Sequence, residues 1–576
     1  MFKILFRMIL FCASHITALS ASAQSGLYSG QDRIFLSPQA RKADVFGFEL
    51  ENRMAEIVYN HPALYEWQNK RGAFFVDKKD IDSVPQFRTA VVALQYADGK
   101  IIGDYLPYEG NGFRDTKIAA HAIYGTKEYG TVHGSASFSK GRHAGYGWNA
   151  IRHADIYLPY IVADSTGGDF GFENYYLAGG YSFKRNHVYY GLGGSFRGEI
   201  ASRQTDPRCA NTSIWLKLDA SVALPLKRDY WFATRASYIR NKQHLHLRNW
   251  RPNQQDRFFV TYGFGYYDLQ ESPVSFGIQR MYFVQGAEWQ MSVSNLKNRK
   301  DNRMTLTANL DYAFWSMKSE ESDAKNLFGS HTHYIDGAFW MQTSPASGLQ
   351  WIAGVQSKNS VRKGKENIYE TYRPDENYPS IYDFRKVNTR NRYTGLTSFN
   401  LFQGKLSYAE AANSLRLEAL AGIGVNYLSE RYKEPKHKWE VFALLPLAGL
   451  GIGQGLKRFS WEFGSSVVWR MPQSYSYDVS SGEFRIDYQE TFLPYAYYTD
   501  ISVTFHNQLK ISFPYDKSGR QIGLKIHHFI RQGQRPADVI YDGTPSVQSH
   551  LLSHPLRETV VRNKEVRGMA TLFVTL

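Results

Sequence analysis

Cysteine is nearly absent: the 576 residues contain two, Cys12 and Cys209. Cys12 falls within the first twenty residues, so loss of a leader leaves Cys209 alone. That excludes an internal disulfide framework and a CxxC metal site. Long apolar runs are missing as well. Past the first twenty residues, no stretch is apolar for the length that a membrane-spanning helix needs. There is no phosphate-cradling P-loop, no dinucleotide fingerprint and no nucleophile elbow. Ser, His and Asp are plentiful, but no recognisable barrel-hydrolase arrangement joins them. The chain is therefore read as a non-enzyme without a cofactor, with a barrel hydrolase as a remote alternative.

What is present is aromatic, glycine-rich and polar on average. Tyr and Phe number 40 and 36, yet the mean hydropathy is −0.44. This suits a wall with lipid on one side and water on the other better than it suits a soluble all-β protein such as a propeller. Formal charge is +15. Lipid contact, including the phosphates of lipopolysaccharide, or solvated loops account for that excess. Residues 1–23 carry Lys3 and Arg7, an apolar run from Met8 to Leu19, and Ala21-Ser22-Ala23 before Gln24. That is the pattern of a cleaved signal peptide. Phe11 is too bulky beside Cys12 for a lipoprotein signal. The expected location is the outer membrane of a two-membrane bacterium, and nucleic acid is not expected as a partner.

Residues 24–86 do not alternate. They read as a periplasmic or barrel-plugging segment, with a short helix over Val45 to Glu56 and a turn over Asn60 to Leu64. From about Phe87 the period becomes two. In Ser213 to Leu224 one face is Ile214, Leu216, Leu218, Ala220, Val222 and Leu224. The other is Trp215, Lys217, Asp219, Ser221 and Ala223. Thr305 to Phe314 and Ile501 to Phe513 behave alike. Short turns near Lys184–His187, Pro225–Asp229, Lys297–Asn302, Ser344–Ser347, Gly453–Lys457 and Pro514–Gly519 alternate with long polar stretches. Those lie near Arg240–Arg257, Asn359–Asn391, Pro472–Glu490 and Gln532–Glu558. The final residues, with Ala570, Leu572, Val574 and Leu576 on one face, form a strand able to close the sheet on itself. The expected fold is all-β: a transmembrane antiparallel β-barrel over residues 87–576, with about 14–20 strands and an even number of them.

The stretch from Gly134 to Asn211 carries an identity. GSASFSKGR (Gly134 to Arg142) with Trp148, LPYIVADSTGGD (Leu158 to Asp169), ENYYLAGGY (Glu173 to Tyr181) and SFRGEIASRQTDPRCAN (Ser195 to Asn211) occur as a set. The chain resembles an outer-membrane β-barrel family of unknown function found in Bacteroidota, and carries Cys209 where that family tends to have a second proline. The resemblance implies a barrel without an established activity, often encoded near surface receptor or lipoprotein components.

Within that stretch, Asp164 and Asp169 flank a Gly-Gly bend, and Arg203, Asp206 and Arg208 surround Pro207. The first pair reads as a hairpin turn with Asx-type hydrogen bonds rather than a calcium loop. The second group reads as a charge network fixing a loop, or as a patch for an anion or partner. These five are the candidate binding residues. His244 with His246, and His331 with His333, share strand faces but lack a visible third ligand, so no metal is expected. The expected role is solute passage or capture, possibly beside a separate receptor. The alternative is a plugged barrel serving as a scaffold for surface lipoproteins or receptors.

Overall fold

A strand with one apolar and one polar face buries neither face in a two-sided core; closing the sheet into a tube places lipid outside and a wet interior within. The computed structural model has this form. It describes Leu50, residues 61–71 and residues 88–575 except 127–128, 165, 227–229, 249–257, 264–265, 271–277, 296–303, 322–325, 344–347, 376–382, 410–414, 435, 457, 479–487, 515–519, 537–538 and 540–561. The signal-peptide reading of residues 1–23 lies outside the described residues. So does the helix expected over Val45 to Glu56, apart from Leu50, which is helical and buried.

Helix α1 (Pro62–Arg71) comes before β1 (Arg88–Ile102), β2 (Gly112–Thr126) and β3 (Gly130–Tyr146). A one-turn helix α2 (Ala154–Tyr157) and the short β4 (Val162–Asp164) precede β5 (Gly168–Arg185), β6 (Val188–Arg203), β7 (Arg208–Pro225) and β8 (Trp231–Arg248). Next come β9 (Phe258–Gly263), β10 (Tyr266–Gln270), β11 (Ile278–Ser294), β12 (Thr305–Glu321), β13 (Phe328–Gln342) and β14 (Gly348–Tyr372). They are followed by β15 (Asp383–Ala409), β16 (Leu415–Tyr432), β17 (His437–Gly455) and β18 (Ser460–Asp478). Helix α3 (Tyr488–Thr499) leads into β19 (Ile501–Pro514), β20 (Gln521–Gln534) and β21 (Arg562–Thr575).

Eighteen of these strands form one antiparallel sheet. The first and last close it, with Leu94 opposite Leu572 and Val91 opposite Thr575. Strands β4, β9 and β10 form a separate small sheet. On β7 the residues alternate strictly: Ile214, Leu216 and Leu218 are exposed, whereas Trp215, Lys217, Asp219 and Ser221 are buried. The apolar face therefore looks outward and the polar face inward. On β17 the outward row runs Phe442, Leu444, Pro446, Ala448, Leu450, Ile452. Eleven tilted residues cover about 25 Å of height, the thickness of an outer-membrane belt. No described helix is long and apolar enough to cross a membrane; the strands do the crossing.

Two expectations need correction. Much of the sequence read as long loops is strand: β14 and β15 run 25 and 27 residues and reach Tyr372 and Asp383, well inside the expected Asn359–Asn391 loop. Past the belt both faces of a ladder meet water, so the alternation fades while the hydrogen bonds continue. The turn expected over Asn60 to Leu64 is instead the start of α1, with Leu64 N donating to His61 O.

Candidate functional site

An eighteen-stranded wall is wide enough to leave an aqueous channel, so what occupies the interior decides what the protein can do. At the end where the short turns, the start of β1 and the end of β21 lie, α1 sits against inward-facing residues. Ala63, Leu64 and Trp67 pack with Tyr189, Ala223, Trp231 and Ala233. Ala63 N donates to Ser221 Oγ (2.8 Å), and Thr131 Oγ1 donates to Glu66 Oε2 (2.6 Å). Tyr65 stacks on His133 at 4.2 Å. His61 Nε2 lies 2.8 Å from Ser292 Oγ. Burial, and secondarily Arg235, push the His61 imidazole well below its usual pKa. Gly191 makes this seat possible, since a Cβ there would lie 2.2 Å from Ala63 N.

At the other end, residues 147–167 turn inward rather than forming a hairpin turn. Ile151, Ile156, Tyr157, Tyr160 and Ile161 pack on Trp215, Ile239, Tyr282, Met317 and Phe328, which belong to the inner faces of β7, β8, β11, β12 and β13. Tyr157 Oη donates to Asn241 Oδ1 (2.6 Å), and Tyr160 stacks on Phe328 at 4.8 Å. Arg362 of β14 donates to the carbonyls of Leu158 and Asp155, both at 2.9 Å. The segment leaves the wall at β3 and reaches β14, almost diametrically opposite in the strand order. It is a strut across the lumen. The small sheet steadies it, with Thr261 N donating to Ile161 O (2.9 Å) and Thr261 Oγ1 to Pro159 O (2.7 Å).

A buried charge cluster anchors the strut. Glu199 on β6 accepts from Arg152 Nε (3.0 Å) and Arg197 Nη2 (2.6 Å), and its Oε1 lies 2.8 Å from His153 Nε2. Arg152 Nη1 also donates to Tyr146 Oη (2.8 Å). One carboxylate shared by two buried guanidiniums fixes geometry strongly, because losing it removes a counter-charge from both. Further round, α3 joins the filling: Phe492, Tyr495 and Ala496 pack with Tyr393, Tyr432, Trp439 and Val539. Tyr262 of β9 touches both this cluster and the strut cluster. Asp104, between β1 and β2, pairs with Arg535 after β20.

The five candidate binding residues fall into three separate places. Asp164 and Arg203 form a fully buried ion pair at 2.6 Å, and Arg203 also donates to Pro207 O (2.7 Å). Asp164 Oδ1 accepts from Thr166 N and Gly167 N, the Asx arrangement expected of it. The hairpin expected around it is absent: β4 pairs with β9, not with β5. Asp169 is paired with Arg142 at 2.5 Å on the outer wall, and accepts from Gly145 N. Asp206 is paired with Arg208 at 3.1 Å between β6 and β7. All five hold the ends of the strut or its neighbouring connections. His244, His246, His331 and His333 fall on the outward face. Among the described residues no group of His, Cys, Asp or Glu would hold a metal ion.

Sequence reading missed Arg152, His153, Glu199, Tyr157, Tyr160 and Arg362. One signal was available: Ala154-Asp-Ile-Tyr-Leu-Pro-Tyr-Ile161 is too apolar for a surface connection and too long for a hairpin.

Among solved structures, the chain is similar to BauA, the ferric preacinetobactin receptor from Acinetobacter baumannii. Identity is 10%, the match covers 84% of this chain and 80% of that one, and the TM-score is 0.34. The siderophore receptor PiuA from Acinetobacter baumannii gives 5% identity, coverage of 84% and 82%, and a TM-score of 0.35. The copper transporter OprC gives 9%, 85% and 80%, and 0.34. No curated protein matches the chain. One family model does, over residues 81–542, and it takes in the wall from β1 to β20. The chain thus belongs to the family of unknown function DUF6850.

Proposed function

We propose that this protein is an occluded outer-membrane barrel that captures a solute at its outer mouth and admits it only when the interior filling moves. The observation that carries this reading is the strut, residues 147–167, spanning the lumen from β3 to β14 above α1. The longer connections face outward and the short turns face the periplasm. Residues 1–23 direct export, and residues 24–86, α1 among them, supply the plug. A separate energised receptor beside the barrel would supply the work of opening.

One observation favours a second reading. Strands β14 and β15 rise beyond the other strands as a two-stranded ribbon with Tyr372, Phe384 and Val387 exposed. Such a ribbon suits the docking of a surface lipoprotein or receptor. Deletion of the gene, followed by uptake measurements across defined polar solutes, separates the two. The capture reading predicts an uptake defect restored by the native chain. Unimpaired uptake, together with a stoichiometric partner co-purifying from native membranes, would replace it with the scaffold.

A further inference from the structure

The outer wall is not uniformly apolar above the belt. On the outward faces of β8, β11, β12, β13 and β14, the pairing places Lys242, Phe283, Lys318, Gly329 and Lys365 in one lateral row. The next row towards the belt reads Arg240, Gln285, Ser316, His331 and Lys363. Five cations and a histidine thus share two adjacent rows that contain no carboxylate. Strands lie about 4.8 Å apart, so the patch is about 19 Å wide. Its cations converge. The ammonium groups of Lys242 and Lys318 lie 5.7 and 5.0 Å from the Phe283 ring centroid. Lys365 Nζ is 3.2 Å from His331 Nε2, and its stem fills the space that Gly329 leaves open, where a Cβ would meet Lys365 Cε at 2.8 Å. Among the described residues, the adjoining acid is Glu320, paired with Lys318.

Two comparisons make the patch specific. Beneath it, the rows read Tyr238, Ala287, Phe314, His333 and Val361, then Ala236, Trp289, Tyr312, Ile335 and Asn359, a largely apolar and aromatic surface fit for acyl chains. Along β1 to β5, exterior cations meet carboxylates, Arg114 with Asp98, Lys140 with Glu173 and Arg142 with Asp169, whereas in the patch, among the described residues, one carboxylate, Glu320, faces five cations. Those pairs cancel the charge that an anion would need.

We propose that this face is a binding site for a phosphorylated glycolipid of the outer leaflet, its phosphates on the two cationic rows and its acyl chains on the aromatic rows below. The inference rests on the orientation given above, with the longer connections outward. The width, five strands by two rows, suits a disaccharide headgroup with more than one phosphate rather than a single glycerophosphate.

The test uses the full-length protein, purified in detergent and stripped of lipid, with bis-phosphorylated lipid A as probe and native mass spectrometry as readout. The triple variant Lys242→Gln, Lys318→Gln, Lys365→Gln should bind roughly a hundredfold more weakly. The control Arg114→Gln, Lys140→Gln, Arg142→Gln should bind as the native chain does. Binding by the native chain should also weaken steeply with added salt, a measurement that needs no variant. Equal binding by the triple variant, equal binding of dephosphorylated lipid A or of phosphatidylglycerol, or salt-independent binding would each overturn the assignment. Membrane fractionation keeps the two failures apart. A chain outside the outer membrane defeats the functional reading, whereas a chain in that membrane without lipid A selectivity defeats this inference alone.

Discussion

A side chain at Gly191 would strike the backbone of Pro62 and Ala63, so the seat of α1 depends on a missing Cβ. Gly191→Val should unseat α1 while leaving the wall intact, and raised hydrogen exchange confined to residues 61–71 would show it. Gly364 plays the same part for the strut, since a Cβ there would lie 2.6 Å from Tyr160 Oη. Among the charged residues, Glu199 matters most. Glu199→Gln leaves Arg152 and Arg197 facing each other in the interior, and should cost the strut about 3–5 kcal/mol, read as loss of exchange protection over residues 147–167. Asp169→Asn removes an ion pair on the outer wall while keeping an oxygen to accept from Gly145 N, and should cost about 0–1 kcal/mol. A comparable loss of strut protection in both variants would contradict this ranking.

At the scale of elements, the docking of α1 should respond to pH. His61 is buried and held neutral, its pKa lowered by burial and by Arg235 of β8, with Ser292 of β11 as its hydrogen-bond partner. A base whose pKa is lower when docked contributes fully above its undocked value and loses that contribution as pH falls below it. The docking of α1 should therefore be complete above about pH 6.5 and weaken progressively below it. His61→Gln keeps a polar partner for Ser292 without a titrating group and should remove that pH dependence. Unchanged acid release of α1 in His61→Gln would assign the effect to another group.

Elements also show what could be read from sequence. The alternation of β7, with Ile214, Leu216 and Leu218 outward and Lys217 and Asp219 inward, was legible because lipid and water impose opposite demands on successive residues. Two things were not legible. The outer parts of β14 and β15 have water on both sides, so nothing enforces a period of two. The strut obeys no period, because its residues are buried by distant strands, as Tyr160 is against Phe328 and Gly364. Asp164 and Arg203 stand in two separate candidate groups in the sequence, and their meeting depends on β4 pairing with β9, a contact no local pattern announces.

For the whole molecule, these contacts predict that a wall wide enough for a pore does not act as an open one. Single-channel recording in planar bilayers tests this most directly, with the native chain compared with a Gly191→Val, Gly364→Leu double variant in which both α1 and the strut are dislodged. The filling predicts that the native chain conducts little or nothing, and that the double variant opens to a pore of the size an eighteen-stranded barrel allows. A native chain that conducts steadily as a wide pore, with no gain in the double variant, would contradict it.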